Sequence, residues 1–285
     1  MSLATPAKTI AVLKQFNLHL SKSLGQNFLV DENVLKKIVD FAELEPSDIV
    51  LEVGPGIGTL TQLLAGNSES VIAVEYDRTL FPVLKQTLSS SENVTIFHSD
   101  ALDFDLRSAV PEASLPNKMV SNLPYNIAAP LLIRYLQEYP FLSSFVIMVQ
   151  REVGSRITAK PSTRDYSSLS LLLQYYAEPI FGFCVSRNVF IPAPHVDSAV
   201  IKLKRLGRPR IEVGDEALLF KLIKAAFAQR RKTIRNALSA ATGVGKDNVE
   251  LALDRSGIDS KRRGETLSLE EFAAACRAFE ELNSS

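Results

Sequence analysis

Short apolar runs alternate with amphipathic stretches from Asp48 to Leu206, and this alternation is the feature that most restricts the possible folds. Buried strands are predicted from the apolar runs at 49–53, 71–75, 94–97, 119–120 and 145–149. Helices are predicted between them, for example at 59–65, 80–88 and 130–137. Such alternation is typical of a mainly parallel sheet covered on both faces. Two later runs, at 180–185 and 198–203, predict an antiparallel pair that closes the sheet.

The sequence G-R-P-R at 207–210 interrupts this pattern with a basic, turn-forming segment, and helical patterns follow it. We therefore expect a larger domain over residues 1–206 and a small helical domain over 207–285. The chain has no net charge, but residues 201–264 contain sixteen Lys and Arg against seven Asp and Glu. Such an excess of positive charge in one segment favours a polyanionic partner such as RNA.

The composition gives little support to a membrane, disulfide or metal-binding protein. The sequence contains no apolar run of 18 residues, and its first residues lack the basic and apolar regions of a secretory signal. Cys184 and Cys276 lie far apart without a C-x-x-C pair, and the three histidines are scattered. These features favour a cytoplasmic protein with reduced thiols and no membrane or metal partner.

A glycine-rich turn, L-E-V-G-P-G-I-G-T-L at 51–60, joins the first predicted strand to the helix after it. Gly54, Gly56 and Gly58 would let the backbone turn tightly and approach a ligand closely. Their G-x-G-x-G spacing differs from the G-x-G-x-x-G of dinucleotide-binding folds, because the next position is Thr59. The turn therefore favours a nucleoside ligand without a pyrophosphate, such as S-adenosylmethionine.

Acidic residues at the ends of the next two predicted strands extend this ligand site. Glu75 ends the second strand, where a carboxylate can accept hydrogen bonds from both hydroxyls of a ribose. Asp100 follows the third strand and could accept a hydrogen bond from the exocyclic amine of an adenine. Because parallel strands end at the same edge of a sheet, we expect both side chains beside the glycine turn.

The sequence N-L-P-Y at 122–125 follows the fourth predicted strand and would lie at the same edge. The side-chain oxygen of Asn122 and the carbonyl oxygen of Leu123 could accept hydrogen bonds from a target amine and orient it. Pro124 restricts Leu123 to extended backbone angles. Tyr125 offers a flat face on which a base can stack, worth about 1–3 kcal/mol. Methyl transfer to such an amine needs no strong general base, because the methylated ammonium is acidic and loses its proton afterwards.

Seven stretches of the chain resemble the rRNA adenine N6,N6-dimethyltransferase family, in the family's own order. They are L-G-Q-N-F-L (24–29), E-V-G-P-G-I-G (52–58), V-E-Y-D (74–77), S-D-A (99–101), N-L-P-Y (122–125), N-V-F-I-P-A-P-H-V-D-S-A-V (188–200) and F-A-Q-R-R-K-T-I-R-N-A-L (227–238). The resemblance implies an α/β, Rossmann-like class I methyltransferase fold, with a mainly parallel sheet, an antiparallel closing strand and a small all-α C-terminal domain. It also implies S-adenosyl-L-methionine as the methyl donor.

The resemblance further implies which residues contact the methyl donor and the target base. The implied donor contacts are Gln26, Asn27, Leu29, Gly54, Gly56, Glu75, Asp100, Ala101 and Asn122. Phe190 resembles the family's second aromatic ring, which joins Tyr125 in receiving the extruded base. From the sequence alone, Asn27 would be a loop residue before a helix capped by Asp31, and Phe190 would be a core residue near a strand end.

Residues 217–238 predict one amphipathic helix with an apolar stripe at helical spacing. Five cations fall on the side opposite this stripe: Lys221, Lys224, Arg231, Lys232 and Arg235. We expect these cations to bind the phosphates of an RNA backbone. Arg230 falls near the apolar stripe, and we expect it to be paired internally or at the domain interface.

Taken with these features, the resemblance implies a cytoplasmic, monomeric enzyme that dimethylates N6 of two adjacent adenosines in a hairpin near the 3′ end of small-subunit (16S) rRNA, within immature small ribosomal subunits. Two alternatives stay open: a large-subunit rRNA adenine methyltransferase of the macrolide-resistance type, and an assembly factor that binds RNA without catalysis. The motifs at 188–200 and 227–238 favour the small-subunit enzyme. The intact ligand-site residues favour catalysis, and the glycine spacing disfavours a dehydrogenase.

Overall fold

The computed structural model describes residues 3–18, 26–229 and 231–283. The strands in this part of the chain are β1 (Phe28–Leu29), β2 (Ile49–Val53), β3 (Ser70–Glu75), β4 (Val94–His98), β5 (Lys118–Asn122), β6 (Ser144–Gln150), β7 (Ala177–Val185), β8 (Phe190–Ile191) and β9 (Ser198–Arg205). The α-helices are α1 (Pro6–Gln15), α2 (Glu32–Ala42), α3 (Thr59–Ala65), α4 (Phe81–Thr87), α5 (Leu106–Ala109), α6 (Ala128–Glu138), α7 (Arg151–Thr158), α8 (Ser168–Tyr176), α9 (Glu216–Ala228), α10 (Ile234–Thr242), α11 (Lys246–Arg255) and α12 (Leu269–Asn283).

The main sheet has the strand order β4–β3–β2–β5–β6–β9–β7, and β1 pairs antiparallel with β8 in a separate two-stranded sheet. Neighbouring strands from β4 to β6 are parallel, whereas β9 runs antiparallel to β6. The first six residues of β6 are all buried, and because successive side chains point to opposite faces, both faces are covered there. The predicted mainly parallel sheet with an antiparallel closing strand is confirmed.

Local sequence signals account for most of the element bounds around the parallel strands. The apolar run at 49–53 forms β2 residue for residue, and the helical pattern at 130–137 lies within α6. Asp31 caps α2 as expected: its Oδ1 accepts hydrogen bonds from the N–H groups of Asn33 (2.9 Å) and Val34 (3.1 Å). These elements place the candidate ligand residues at strand ends.

Two apolar clusters fix helices around the sheet. Leu35 and Ile38 of α2 pack in a buried cluster with Leu64 of α3 and with residues of β2, β5 and β6. A second cluster joins Val12 of α1 to Leu84 of α4. Both clusters also include a residue of β1, which places this short strand between α1, α2 and the main sheet. The segment around β1 is therefore held beside the carboxyl ends of the parallel strands.

The chain divides into two compact units, one of Met1–Gly154 with Glu178–Arg205 and the other of Ser155–Ala177 with Leu206–Ser285. The second unit contains α8 to α12. We call Ser155–Ala177 the inserted segment of this unit. It is held by Tyr166, whose hydroxyl donates to the Leu267 carbonyl oxygen (3.0 Å). The ring of Tyr175 also lies 5.3 Å from that of Phe220. The expected boundary at residue 206 lies next to the observed one, but residues 155–177 were expected in the first domain and pack with the second unit.

The predicted single helix over residues 217–238 is wrong, because α9 ends at Ala228 and α10 begins at Ile234. The N–H group of Ile234 donates to the carbonyl oxygen of Arg262 (2.7 Å), and the N–H of Lys232 donates to that of Gln229 (2.9 Å). These bonds replace the helical ones across the break. The apolar periodicity continues through the break, so the pattern alone did not reveal it.

Candidate active site

A cavity of about 330 Å³ lies at the carboxyl ends of β2, β3 and β5, within the first unit. Its lining comes from residues 26–29, from the glycine turn after β2, from the end of β3, and from residues 99–101 and 122–127. The parallel pairing of β3, β2 and β5 brings these segments together, since all three strands end on the same side.

Most of the predicted site residues meet in this cavity. Those that line it are Gln26, Asn27, Leu29, Gly54, Gly56, Glu75, Asp100, Ala101, Asn122, Leu123, Pro124 and Tyr125. Phe190 does not line it: the residue is 3% exposed and packs in the cluster with Leu29 and Leu35. The individual contacts assigned to all of these residues stay predictions.

The glycine turn brings the backbone close to two rings at the cavity wall. Gly56 has a φ of +62°, and a Cβ built on it would lie 2.8 Å from the Phe28 ring. Gly54 has a φ of +73°, and a Cβ there would lie 3.4 Å from the Pro124 ring. A side chain at either position would be strained by the positive φ, and at Gly56 its Cβ would also lie too close to the Phe28 ring, so the turn favours glycine.

Glu75 is held in place by backbone groups at the end of β3. Its Oε2 accepts a hydrogen bond from the N–H of Gly56 (3.2 Å), and its Oε1 accepts one from the N–H of Asp77 (2.8 Å). The residue is 6% exposed, and burial raises the pKa of its carboxyl above the usual value. A carboxylate has about four acceptor sites, so Glu75 can also accept hydrogen bonds from a ribose.

Asp100 lies in a loop that is hydrogen-bonded to side chains of α6. Its Oδ1 accepts a hydrogen bond from the N–H of Leu102 (2.8 Å). The carbonyl oxygen of the next residue, Ala101, accepts hydrogen bonds from the hydroxyl of Tyr135 (3.0 Å) and from Nη1 of Arg134 (3.3 Å). This loop therefore presents the Asp100 carboxyl from a fixed backbone.

The N-L-P-Y segment, residues 122–125, is fixed on both sides. The Asn122 side-chain amide donates from Nδ2 to the Asn27 carbonyl oxygen (3.3 Å), which leaves its Oδ1 as the acceptor for a ligand. The N–H of Leu123 donates to the Met148 carbonyl oxygen (3.1 Å) in β6. The hydroxyls of Tyr125 and Ser198 are 2.7 Å apart, and burial raises the pKa of Tyr125.

The cavity lining also includes Glu52, Tyr76 and Asp77, which were not assigned from the sequence. Glu52 is 1% exposed, and its Oε2 has no hydrogen-bond partner among the described residues. Burial and the neighbouring Glu75 raise the pKa of Glu52 to about 8. Tyr76 is 59% exposed. Burial acts to raise the pKa of Asp77, but hydrogen bonds from Thr79 and Gln26 hold this pKa below its usual value.

The charged side chains of the described cavity lining are all acidic, which restricts the ligand. The lining includes the carboxyls of Glu52, Glu75, Asp77 and Asp100, whereas none of the described residues that line the cavity is Lys or Arg. A pyrophosphate would be repelled here, and a cation would be attracted. A nucleoside carrying a positive charge, as in S-adenosylmethionine, fits both this charge and the unpartnered Glu52 oxygen.

Glu52 and Tyr76 carried a weak sequence signal. Both lie next to residues that were assigned, inside L-E-V-G and V-E-Y-D. An acidic residue in a buried strand is unusual, and that alone could have marked Glu52. Its lack of a partner and the exposure of Tyr76 are visible only in the fold.

The predicted RNA-binding residues lie in the second unit. Lys221 and Lys224 are exposed on α9, and Arg231 and Lys232 are exposed between α9 and α10. Arg235 is half-buried instead: its Nε lies 2.7 Å from Glu250, and its Nη2 lies 3.6 Å from Asp247. Arg230, Leu24 and Gly25 lie outside the described residues.

Neither a membrane span nor a metal cluster can be assigned to the described residues. No helix there is both long and apolar enough to cross a membrane. The described part of the chain also holds no group of three His, Cys, Asp or Glu side chains suited to a metal ion.

The family model that matches this chain and the curated relatives at 44–45% identity all belong to ribosomal RNA methyltransferases. Residues 17–281 match the family model of the ribosomal RNA adenine dimethylases. A ribosomal RNA small subunit methyltransferase A of Alkaliphilus metalliredigens is 44% identical over 274 residues, covering 95% of this chain and 96% of the relative. The protein of the same name from Bacillus cytotoxicus is 45% identical over 283 residues, covering 97% of each chain.

Two solved structures share the fold over most of the chain. A dimethyladenosine transferase from Plasmodium falciparum has a TM-score of 0.74 at 22% identity, covering 90% of this chain and 98% of that one. The 23S rRNA methyltransferase ErmE has a TM-score of 0.67 at 27% identity, covering 89% of this chain and 100% of that one.

Proposed function

Because the chain belongs to the ribosomal RNA adenine dimethylase family, we propose that it dimethylates N6 of two adjacent adenosines in small-subunit rRNA. The observation that carries this proposal is the acidic, nucleoside-sized cavity that opens beside the N-L-P-Y segment. The curated relatives at 44–45% identity are named as small-subunit enzymes, which favours that subunit for this chain.

Residues of the cavity would bind S-adenosylmethionine, which supplies a methyl group on a sulfonium cation. Glu75 accepts hydrogen bonds from the ribose hydroxyls, and Asp100 accepts one from the adenine amine of the donor. Glu52 faces the positively charged part, and Tyr76 offers its exposed ring to the donor's adenine. Gly54 and Gly56 leave room for the donor against the backbone.

The N-L-P-Y segment would bind the target adenine. Its base must leave the RNA stack to reach the methyl group, and Tyr125 stacks on it. The Asn122 Oδ1 and the Leu123 carbonyl oxygen accept hydrogen bonds from the N6–H groups and aim the nitrogen lone pair at the methyl carbon. The N–C bond forms as the S–C bond breaks, and the resulting ammonium then loses a proton to water.

The second unit would hold the RNA backbone. Lys221, Lys224, Arg231 and Lys232 present exposed charge there, and phosphate contacts of this kind position an RNA without reading its sequence. We accordingly propose the residues after 206 as an RNA-binding domain. We propose that the protein acts as a monomer in the cytoplasm and that its substrate is the immature small ribosomal subunit.

Methyl transfer can be tested by mass spectrometry of ribosomal RNA. Small and large subunits lacking these methyl groups are each incubated with the protein and with S-adenosylmethionine carrying a labelled methyl group. We expect four labelled methyl groups on two adjacent adenosines near the 3′ end of the small-subunit RNA, since each N6 takes two. An Asn122→Ala variant should stay folded and transfer nothing measurable.

The other outcomes identify the alternatives. Label in the large-subunit RNA alone would show a large-subunit rRNA adenine methyltransferase of the macrolide-resistance type. Binding to small subunits with no label in any RNA would show an assembly factor without catalysis.

A further inference from the structure

Strand β9 brings its first residue to the edge where the parallel strands end. Because β9 runs antiparallel to β6, its amino end lies beside the carboxyl end of β6, and Ser198 pairs with Gln150. The N–H of Leu123 is hydrogen-bonded to the same strand, at Met148. The start of β9 and the N-L-P-Y segment are therefore both fixed to the end of β6.

The side chain of Ser198 contacts the residue proposed to stack on the target base. Its Oγ lies 2.7 Å from the hydroxyl of Tyr125, and Ser198 is 0% exposed. The bond joins the far end of the tyrosine ring to a buried strand, which limits rotation of the ring. Without it, two polar oxygens would be left without this partner, an unfavourable state for buried groups.

The position of Ser198 is itself well fixed. The preceding residue, Asp197, accepts a hydrogen bond from the N–H of Arg151 at its carbonyl oxygen (2.9 Å). Its Oδ1 accepts another from the N–H of Arg187 (3.0 Å). Ser198 thus presents its hydroxyl from a strand that is anchored on two sides, and such a support can hold a reacting geometry tightly.

We propose that Ser198 is a positioning residue for methyl transfer, whose hydroxyl holds the ring of Tyr125 in the orientation that receives the target adenine. The inference rests on the proposed function, because Tyr125 receives a base only if the protein methylates one. Ser198 does not line the cavity, so it acts through Tyr125 and leaves donor binding unchanged.

The contact can be tested first in folding, without any substrate. Urea unfolding is measured for the wild type, Ser198→Ala, Tyr125→Phe and the double variant. We expect each single variant to lower the unfolding midpoint, and the double variant to lower it by clearly less than the sum. Ser144→Ala is the matched control: this buried serine lies at the other end of β6, and its hydroxyl has no partner in the described chain. Its effect should add to that of Tyr125→Phe.

The catalytic role is then tested by single-turnover methylation of small subunits. We expect Ser198→Ala to lower the rate at least tenfold with unchanged affinity for S-adenosylmethionine, because small misplacements of reacting groups have large effects on rate. Ser198→Thr keeps the hydroxyl and should restore most of the rate. In the Tyr125→Phe background, Ser198→Ala should not lower the rate further. Ser144→Ala should behave as the wild type.

The two failures are distinguishable. If the wild type methylates small subunits but Ser198→Ala does so at an unchanged rate, or if its effect adds fully to that of Tyr125→Phe, the positioning role is overturned and the proposed function stands. If folding shows coupling but the wild type methylates no RNA, the contact stands, and the proposed function and the role that depends on it are both overturned.

Discussion

At the scale of single residues, Glu52 is the least expected feature of the candidate active site. Its carboxyl is buried, has an oxygen without a partner among the described residues, and lies near a second buried carboxyl, that of Glu75. Burying a charge without a partner is unfavourable, so the group stays protonated at neutral pH. A bound cation would change that balance in favour of the carboxylate.

Glu52 should make the stability of the ligand-free protein depend on pH. Its pKa is raised from 4.5 to about 8 on folding, so the folded state binds the proton more tightly than the unfolded state. The free energy of unfolding should therefore fall as the pH rises from 5 to 8, by up to roughly 4 kcal/mol. Glu52→Gln should remove most of this fall in urea titrations, and Glu112→Gln, at an exposed carboxyl, should leave it unchanged. A fall of equal size in Glu52→Gln would contradict the assignment.

The residues at strand ends were predictable, and their partners were not. Glu75 ends a run that reads as a buried strand, and Asp100 and Asn122 follow two more such runs. Parallel strands must end at one edge. By contrast, the bond between Tyr125 and Ser198 joins positions 73 residues apart. The pairing of β8 with β1, which places Phe190 opposite Leu29, likewise joins distant positions. No local pattern encodes such contacts.

At the scale of elements, the turn after β2 and the break after α9 show what local patterns can and cannot predict. Spacing of glycines marks the turn, because the positive φ of Gly56 is favourable only for glycine. The break has no such mark, since Q-R-R-K-T contains neither glycine nor proline. It depends on the Arg262 carbonyl oxygen, which accepts a hydrogen bond from Ile234 across the tertiary structure.

Gly56→Ala should damage the cavity more than the fold. The new Cβ would lie 2.8 Å from the ring of Phe28, a residue that lines the cavity. Because that ring would have to shift, we expect at least tenfold weaker binding of S-adenosylmethionine in calorimetry. Strain at the positive φ should also lower stability by about 1–2 kcal/mol. Gly243→Ala is the control, because Gly243 has a φ of +73° but nothing within 4 Å of a Cβ. Gly243→Ala should lower the stability and leave donor binding unchanged. Equal donor affinities in the two variants would contradict the expected clash.

The break between α9 and α10 separates two kinds of basic residue. Replacing the exposed Arg231 and Lys232 with Gln should weaken RNA binding and lower the slope of log affinity against log salt by about two, since each phosphate contact on a duplex contributes about 0.9. Arg235→Gln should leave that slope unchanged and lower stability by less than about 1 kcal/mol, because Arg235 pairs with Glu250. Filter binding at several salt concentrations measures the slope for each variant, and urea unfolding measures the stability of Arg235→Gln. A lower slope in Arg235→Gln would assign that residue to the RNA.

At the scale of the whole molecule, the two units are interleaved along the chain. The first is completed by Glu178–Arg205, and the second includes the earlier segment Ser155–Ala177. A change in composition at residues 207–210 marked the later boundary in the sequence. The earlier segment carried no mark, because its helix α8 is apolar, as a helix that covers a sheet would be. The ring partners of this segment lie more than 40 residues further along the chain.

A fragment ending at residue 205 should therefore fold poorly, although it contains the whole cavity. It would expose Tyr166 and Tyr175, whose ring partners Phe227 and Phe220 would be missing. We expect strong binding of a hydrophobic dye and self-association in size-exclusion chromatography. Replacing both tyrosines with Ser in the fragment should reduce the dye signal. A monomeric fragment without dye binding would show that the inserted segment does not need its partners.

The interleaving also sets an order for folding during synthesis. A ribosome releases the chain from its amino end, so Ser155–Ala177 emerges before the residues of α9 that it packs against. The last strands of the sheet, β7 and β9, follow at once, and α9 comes only after them. A growing chain can thus complete its sheet while the inserted segment still waits for its partners, and the helical unit is the last part to close.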